Sequence, residues 1–454
     1  MTNEKTQGVN TLLGDPKNAI LKLSVPMIIA MLINSLYMFI DGIWLAGLGE
    51  NALAAVGFVT PMYLIVMGFS NGLGAGATAI ISRYIGAKDK KEADNAALHV
   101  MLLTGIFTII FTIGALTLLR PYLGFMGAGS AMNLSLDYGT ITFLGSIFIV
   151  FSAAAYGVLR AEGNVKKATH AMVLGAILNI ILDPILIYTL GLGVKGAAIA
   201  TIISLGTVSL LLLYWFRKDT YIKFSPKDFI YKNTLIKQIL GIGLPAGSEM
   251  LINAILVMSL NLILIVVSGL DGVAVYNGGW RMVMVALVPA IAIGMSVVAV
   301  TGASFGAEKF ENIKIAHIHG IKIGFAIVGA ISLFTFIFAP YISYFFTYSP
   351  ESIGLRSEFT EFFRATCLFY LFVPLGICSS SVFQGLGKGL NSLLLTIIRT
   401  LVLVSVFAYI LAIPLGLGQT GVWYGLVLGN ACGSIIAFIW ARKYIKKLIV
   451  SKNT

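Results

Sequence analysis

The chain has 454 residues, 58% of them hydrophobic and 11% charged, with a formal net charge of +12. No soluble domain of that length buries so much apolar surface, and no polar block is long enough to be a separate soluble domain. The composition therefore excludes a globular soluble protein and leaves an all-α polytopic membrane protein. Cys367, Cys378 and Cys432 all lie in apolar stretches, with neither a disulfide framework nor a metal-ligand spacing.

Residues 1–17 are polar, with no short apolar region and small-residue cleavage site, and read as a cytoplasmic tail rather than a signal peptide. Apolar runs broken by Gly, Pro and charged clusters then predict twelve spans, near 18–46, 52–82, 95–119, 135–158, 168–190, 195–216, 236–267, 272–304, 314–341, 358–384, 390–414 and 420–441. The first span carries Pro26, which removes a helical hydrogen bond and invites a kink. Near its end stands Asp41, among Tyr37, Met38, Phe39, Ile40 and Trp44; an ionisable group at such a place is a functional candidate. Every second connection is basic, with Arg83, Lys88, Lys90, Lys91, Arg160, Lys166 and Lys167, the linker 217–235 and the tail 442–454. The opposite connections carry only Arg120, Lys195 and Arg356. This bias puts both termini in the cytoplasm and requires an even number of spans.

The chain repeats itself. Val25-Pro26-Met27 with Met31-Leu32-Ile33-Asn34 returns as Leu244-Pro245-Ala246 with Met250-Leu251-Ile252-Asn253. Gly86-Ala87-Lys88 matches Gly306-Ala307-Glu308, Val158 to Gly163 matches Val382 to Gly387, and Gly191-Leu192-Gly193 matches Gly416-Leu417-Gly418. An N-lobe (18–216) and a C-lobe (236–441) of six spans each are thus expected, related by an axis along the membrane normal.

Three acids lie deep inside spans: Asp41, Asp183 and Glu249. The first and fifth spans run the same way, and Asp41 and Asp183 each sit about ten residues before the next loop, at one depth. Asn179, four residues before Asp183, shares its helix face. Tyr138 and Thr201 enter from the same side at similar height, so the five residues make one polar pocket in the N-lobe. The C-lobe counterparts of Asp41, Thr201, Asn179 and Asp183 are Leu260, Leu426, Val404 and Ala408. A repeat that keeps its glycines but loses these polar groups assigns them to chemistry rather than folding. That chemistry is cation exchange: a dehydrated carboxylate beside a second one holds a proton and releases it on hydration. With the Asn179 and Thr201 oxygens, the same pocket suits Na⁺. Glu249 belongs either to a second cation or substrate site or to a buried ion pair with Arg281, Arg364 or Arg399.

Pro26 with Asp41, Asn179-x-x-x-Asp183-Pro184, Tyr138, Thr201 and the Gly86-Ala87-Lys88 junction resemble the multidrug and toxic compound extrusion (MATE) transporters. The likeness covers essentially all twelve spans and is closest to the DinF-like branch, especially its archaeal members. It implies two six-helix bundles forming a V around a cleft, and export of organic cations against inward H⁺ or Na⁺. It further implies that Asp41, Asn179, Asp183, Thr201 and Tyr138 form the coupling site and that bending at Pro26 accompanies switching. The NorM-like branch has acids on spans seven and ten; here Glu249 is on the seventh, but the tenth has only Glu358 and Glu361 near its start. The resemblance implies no cofactor beyond the coupling ion, no nucleic acid, and a monomer in a prokaryotic plasma membrane acting on small cationic or amphiphilic substrates.

Other signals carry less. Gly72-Leu73-Gly74-Ala75-Gly76 lacks a following Gly-Lys-Ser/Thr and reads as helix packing, and His317-x-His319 reads as a surface pair. Asp137 and Glu162 read as interfacial. Phe58, Phe69, Phe143, Tyr276 and Trp280 either line a cleft or pack. The competing function is a lipid-linked sugar flippase or endogenous-metabolite exporter of the same superfamily. An intramembrane aspartyl protease does not fit the settings of Asp41 and Asp183, so no enzyme is expected.

Overall fold

The structure, a computed structural model, describes residues 6–348 and 352–453. The first five residues of the polar tail and the last of the basic tail lie outside them. A short helix α1 (Gln7–Leu13) precedes α2 (Pro16–Ala46), α3 (Glu50–Gly86) and α4 (Lys90–Phe125). Next come α5 (Met132–Leu144) and α6 (Ser146–Ala161), bent by 46° at the break between them, then α7 (Val165–Pro184) and α8 (Gly193–Lys218). Past the linker stand α9 (Asn233–Gly306), α10 (Phe310–Phe346) and α11 (Arg356–Gly385). A π-helical stretch, Ile397–Leu403, joins α12 (Gly389–Thr396) to α13 (Val404–Ala412), and α14 (Gly418–Asn453) ends the chain. No strand occurs among the described residues.

Ten of these helical segments are long and apolar enough to cross a bilayer, and the bent pair α5–α6 makes an eleventh. The 74 residues of α9 would run about 110 Å, against a hydrocarbon core of about 30 Å. Gly269 breaks it with φ 65° and ψ −149°, backbone angles that a side chain disfavours. Read as two crossings at that break, α9 brings the count to the expected twelve.

The repeat is written in the backbone. The two non-glycine residues with positive φ among those described are Lys88 (60°) and Glu308 (55°), which the sequence pairs. Gly163 (73°) matches Gly387 (77°), and Gly191 and Gly193 (65°, 55°) match Gly416 and Gly418 (69°, 55°). Each pair closes its helix with the same bonds: Asp89 N–H to Tyr84 O and Lys309 N–H to Ser304 O, Asn164 to Leu159 and Lys388 to Phe383. These left-handed corners end helices by satisfying their last carbonyls.

Two compact units result: Met1–Gly14 with Val25–Ser248, and Asp15–Ser24 with Glu249–Thr454. The division falls inside the two proline-bearing helices α2 and α9, not at the linker. The start of α9 joins the first unit because glycine lets backbones touch. A Cβ on Gly72 would stand 2.2 Å from Gly243 O, and one on Gly76 2.5 Å from Ile239 O.

The linker is tied to the first unit by side chains that accept its N–H groups. Glu162 Oε2 accepts from Tyr221 (2.9 Å) and Ile222 (3.1 Å), and Asp94 Oδ1 from Lys223 (2.9 Å). Asn95 pairs both ways with Ile230 (3.2 and 3.0 Å), and His99 Nε2 accepts from Lys232 (2.9 Å). Glu162, expected at an interface, is instead fully buried, because the linker folds over the end of α6. Burial pushes its carboxyl up to about 7, against the opposing donation from Ile222, Asn164 and Tyr221.

His317 also departs from expectation. It is fully buried, its Nε2 3.0 Å from Ser379 Oγ and its ring 5.6 Å from that of Phe438. Its place near the end of the ninth span suggested a surface, but the packing of α10 on α11 decides.

Candidate functional site

Helix α7 ends on Asp183-Pro184, and the chain widens into a π-helical turn, Ile185–Thr189. Such turns often mark functional sites, since they redirect side chains without ending the helix. Asp183 is fully buried and Asn179, one turn earlier, is nearly so. With its amide set to give both ends a partner, Asn179 donates to Asp183 Oδ2 at 2.8 Å and accepts from the Thr201 N–H of α8 at 3.1 Å. The Thr201 hydroxyl stands 3.2 Å from the same amide. Asp183 Oδ1 has no hydrogen-bond partner.

From α2, the carboxyl of Asp41 comes within hydrogen-bonding reach of Asp183. Two ionised carboxylates have acceptors only, so a contact between them demands a proton on one or a cation between. No ion pair with Lys, Arg or His reaches either acid among the described residues. Tyr138 of α5 lies in the electrostatic field of both acids. The structure thus brings Asp41, Asp183, Asn179, Thr201 and Tyr138 together. Tyr37 and Tyr63 join them, Tyr37 in the field of both acids and Tyr63 in that of Asp41. Sequence reasoning missed both as site residues. Tyr37 carried a signal, being one turn from Asp41 on the same face; Tyr63 carried none.

Beyond the acids, Leu45, Ile187 and Ala197 form a small apolar cluster with Trp44, Leu48, Val56 and Tyr138 packed on it. The Tyr188 hydroxyl donates to the Trp44 carbonyl, tying the end of α2 to the π-helical turn after Asp183. Pro26 lies within α2, which continues through it.

The second unit is apolar at the equivalent place. Leu260, Val404, Ala408 and Leu426 are all buried in one apolar core, where Tyr276 stacks on Trp423 at 6.2 Å. Tyr276 and Phe143 are fully buried packing residues, not cleft liners. Glu249 stands elsewhere in this unit: its Oε1 accepts from Gln384 Nε2 and Ser392 Oγ, each at 3.3 Å. Arg399, on the π-helical stretch, is the cation whose field reaches it. Among the described residues no hydrogen bond or ion pair joins Glu249 to Arg281 or Arg364; Arg281 is exposed and Arg364 lies over the Phe336 ring.

A multi-pass chain of two repeated units, with a buried Asp183 beside a half-buried Asp41 in one of them, is the plan of a membrane transporter. A family model described as MatE matches residues 26–185 and 245–410, segments that open on Pro26 and Pro245, and the chain belongs to this family, the MATE transporters. It is 25% identical to the multidrug export protein MepA of Staphylococcus haemolyticus (strain JCSC1435), over 93% of this chain and 92% of that one. It is 41% identical to a solved MOP superfamily transporter from Pyrococcus furiosus Vc1 (DSM3638), with a TM-score of 0.95 over 98% and 99% of the two chains; a reversed polarity of that protein's binding pocket is said to suggest a different function. A MATE transporter solved in straight and bent conformations is 40% identical, with TM-scores of 0.95 and 0.94 over 99% of this chain and 100% of that one. These relatives are transporters, not enzymes.

Proposed function

We propose that the protein is a secondary antiporter that exports organic cations in exchange for protons taken up by the Asp41–Asp183 pair. One observation carries this reading: two carboxyls within hydrogen-bonding reach, with no basic partner and with Asp183 Oδ1 unmatched among the described residues. Such a pair is stable in a dehydrated pocket only when it holds a positive charge, and hydration removes that requirement. The absence of a basic partner among the described residues leaves a proton as the simplest positive charge for the pair to take up, and Asn179, 2.8 Å from Asp183 Oδ2, holds that carboxyl in place. Asn179 fixes the Asp183 carboxylate, and Thr201 fixes Asn179.

On this reading the cytoplasm holds both termini, the branch is DinF-like, and α2 changes its bend at Pro26 as the pair loads and empties. Each proton moving inward through about 100 mV supplies about 2.3 kcal/mol. The test is efflux of a fluorescent organic cation from proteoliposomes under a pH gradient or a Na⁺ gradient, with wild type and Asp41→Asn. Efflux driven by the pH gradient alone and abolished in Asp41→Asn is the expected result. Efflux driven by Na⁺ alone makes the pocket a Na⁺ site, with Asn179 turned to offer its oxygen. No movement under either gradient refutes drug antiport and points to a lipid-linked or metabolite substrate.

A further inference from the structure

A cavity of about 840 Å³ opens on the second unit between α10, α11 and α14, away from both the acid pair and the Glu249 cluster. Its floor is the first half of α11, from Arg356 to Leu368. The opposite face of α11 holds Phe359 and Phe362, against which Gly278 and Gly279 of α9 pack, so the cavity faces away from α9.

Along α11 the lining changes character in order. Arg356, Ser357 and Arg364 come first, then Ala365 and Leu368, with Phe336 of α10 and Tyr424 of α14 as side walls. From Arg356 to Leu368 is about 18 Å of helix, a depth that runs from the headgroup region into the acyl chains. The polarity of the groove therefore follows that of a lipid.

Its charges are unevenly committed. Arg356 Nε donates to Thr347 Oγ1 at 3.2 Å, and the guanidinium lies 4.8 Å from the centre of the Tyr344 ring. Glu361 accepts from the Thr420 hydroxyl at 2.5 Å and forms no ion pair with Arg364 among the described residues. Arg364 is exposed within a span and, among the described residues, its guanidinium has no ion pair and lies over the ring of Phe336, at 5.7 Å. A guanidinium in that setting is costly without a counter-ion. Among the described lining residues two arginines outweigh one carboxylate, so the groove suits an anion that carries an apolar tail.

We propose that this groove binds the phosphate of a membrane phospholipid, held by Arg364 and the Ser357 hydroxyl, with acyl chains against Phe336 and Leu368. Guanidinium offers phosphate two parallel hydrogen bonds, which lysine does not.

The experiment is native mass spectrometry of the delipidated full chain in detergent, titrated with phosphatidylglycerol or with diacylglycerol of the same chains. Wild type is expected to retain one phosphatidylglycerol and to retain diacylglycerol at least tenfold less. Arg364→Gln lowers phosphatidylglycerol occupancy at least tenfold and Arg364→Lys several-fold. Arg120→Gln, at an exposed arginine on α4 of the first unit, changes nothing. Ser357→Glu, at an exposed first-turn position that tolerates the acid, sets a carboxylate where the phosphate sits and abolishes retention even if Arg364→Gln does not fold. Wild-type retention in Ser357→Glu, or in a folded Arg364→Gln, overturns the proposal. So do equal binding of diacylglycerol, which shows an apolar groove indifferent to phosphate, and displacement by millimolar inorganic phosphate, which shows a site for soluble anions.

Discussion

Glu162→Gln should flatten the pH dependence of stability in one window. The Glu162 carboxyl is fully buried at the end of α6, where it accepts from Tyr221, Ile222 and, at 3.3 Å, the amide of Asn164. Burial raises it from an ordinary 4.5 to about 7. At about 1.4 kcal/mol per pH unit, the fold prefers the protonated acid by about 3 kcal/mol. Between those two values the folded chain holds a proton that the unfolded chain has lost, so stability falls as pH rises. The contribution is complete below pH 4.5 and gone above 7. Glutamine keeps an oxygen for the two N–H groups and cannot ionise. Melting temperatures in detergent, taken from pH 5 to 8.5, should therefore separate: the variant gains on wild type with rising pH, by about 3–6 °C over the window. Parallel curves would refute the claim that the linker closes a dry pocket around this acid.

His99→Ala removes a buried ring whose Nδ1 meets Asn95 O at 2.8 Å and whose Nε2 accepts from Lys232 N–H at 2.9 Å. Stranding that N–H costs about 1–3 kcal/mol, so tryptic cleavage between Lys223 and Lys232 should quicken roughly 10–100-fold; an unchanged rate would mean the linker is not held there. Thr201→Val deletes the hydroxyl beside Asn179 and about 1 kcal/mol of support for the acid pair, moving the half-maximal pH of efflux by about 0.7 unit; an unmoved midpoint takes Thr201 out of the site. Gly157→Ala would press a Cβ to 2.3 Å from Gly74 O and lower the melting temperature, at a cost of about 1–3 kcal/mol. Gly105→Ala, with nothing within 4 Å, should be neutral or slightly stabilising by the same assay, and equal effects would deny that α3 and α6 touch through glycine.

The spans were legible because a bilayer selects long apolar helices and leaves charges and glycines to the loops. The repeat was legible because its corners need particular backbones: Lys88 and Glu308 differ as side chains but turn with the same positive φ. What the sequence did not disclose are contacts made from far away in the chain. Glu162 reads as interfacial until the linker, some sixty residues later, closes over it. His317 reads as exposed until Ser379 and Phe438 arrive from α11 and α14. The packing units likewise part company with the chain at α2 and α9, through backbone approaches that no local pattern encodes.

Counting inward from loops sufficed to bring Asp41 and Asp183 to one depth, because helix rise is constant. It did not identify the partner of Glu249, since three arginines satisfied the same count and only the turn at Ile397–Leu403 selects Arg399. The repeat also explains why Glu249 is not a second Asp41. Pro26 aligns with Pro245, which sets Asp41 against Leu260 and Glu249 against Ala30, both apolar and buried. The two acids are thus eleven residues apart in the shared register, about 16 Å along the helix. Glu249 also has its own donors in Gln384 and Ser392 and a cation in Arg399, where the acid pair has no ion pair among the described residues. Glu249 thus has partners of its own, whereas on the proposed reading the Asp41–Asp183 pair depends on a proton. If the coupling chemistry falls to the first unit, as proposed, removing Glu249 should disturb the packing of α9, α11 and α12 before it disturbs the response to pH.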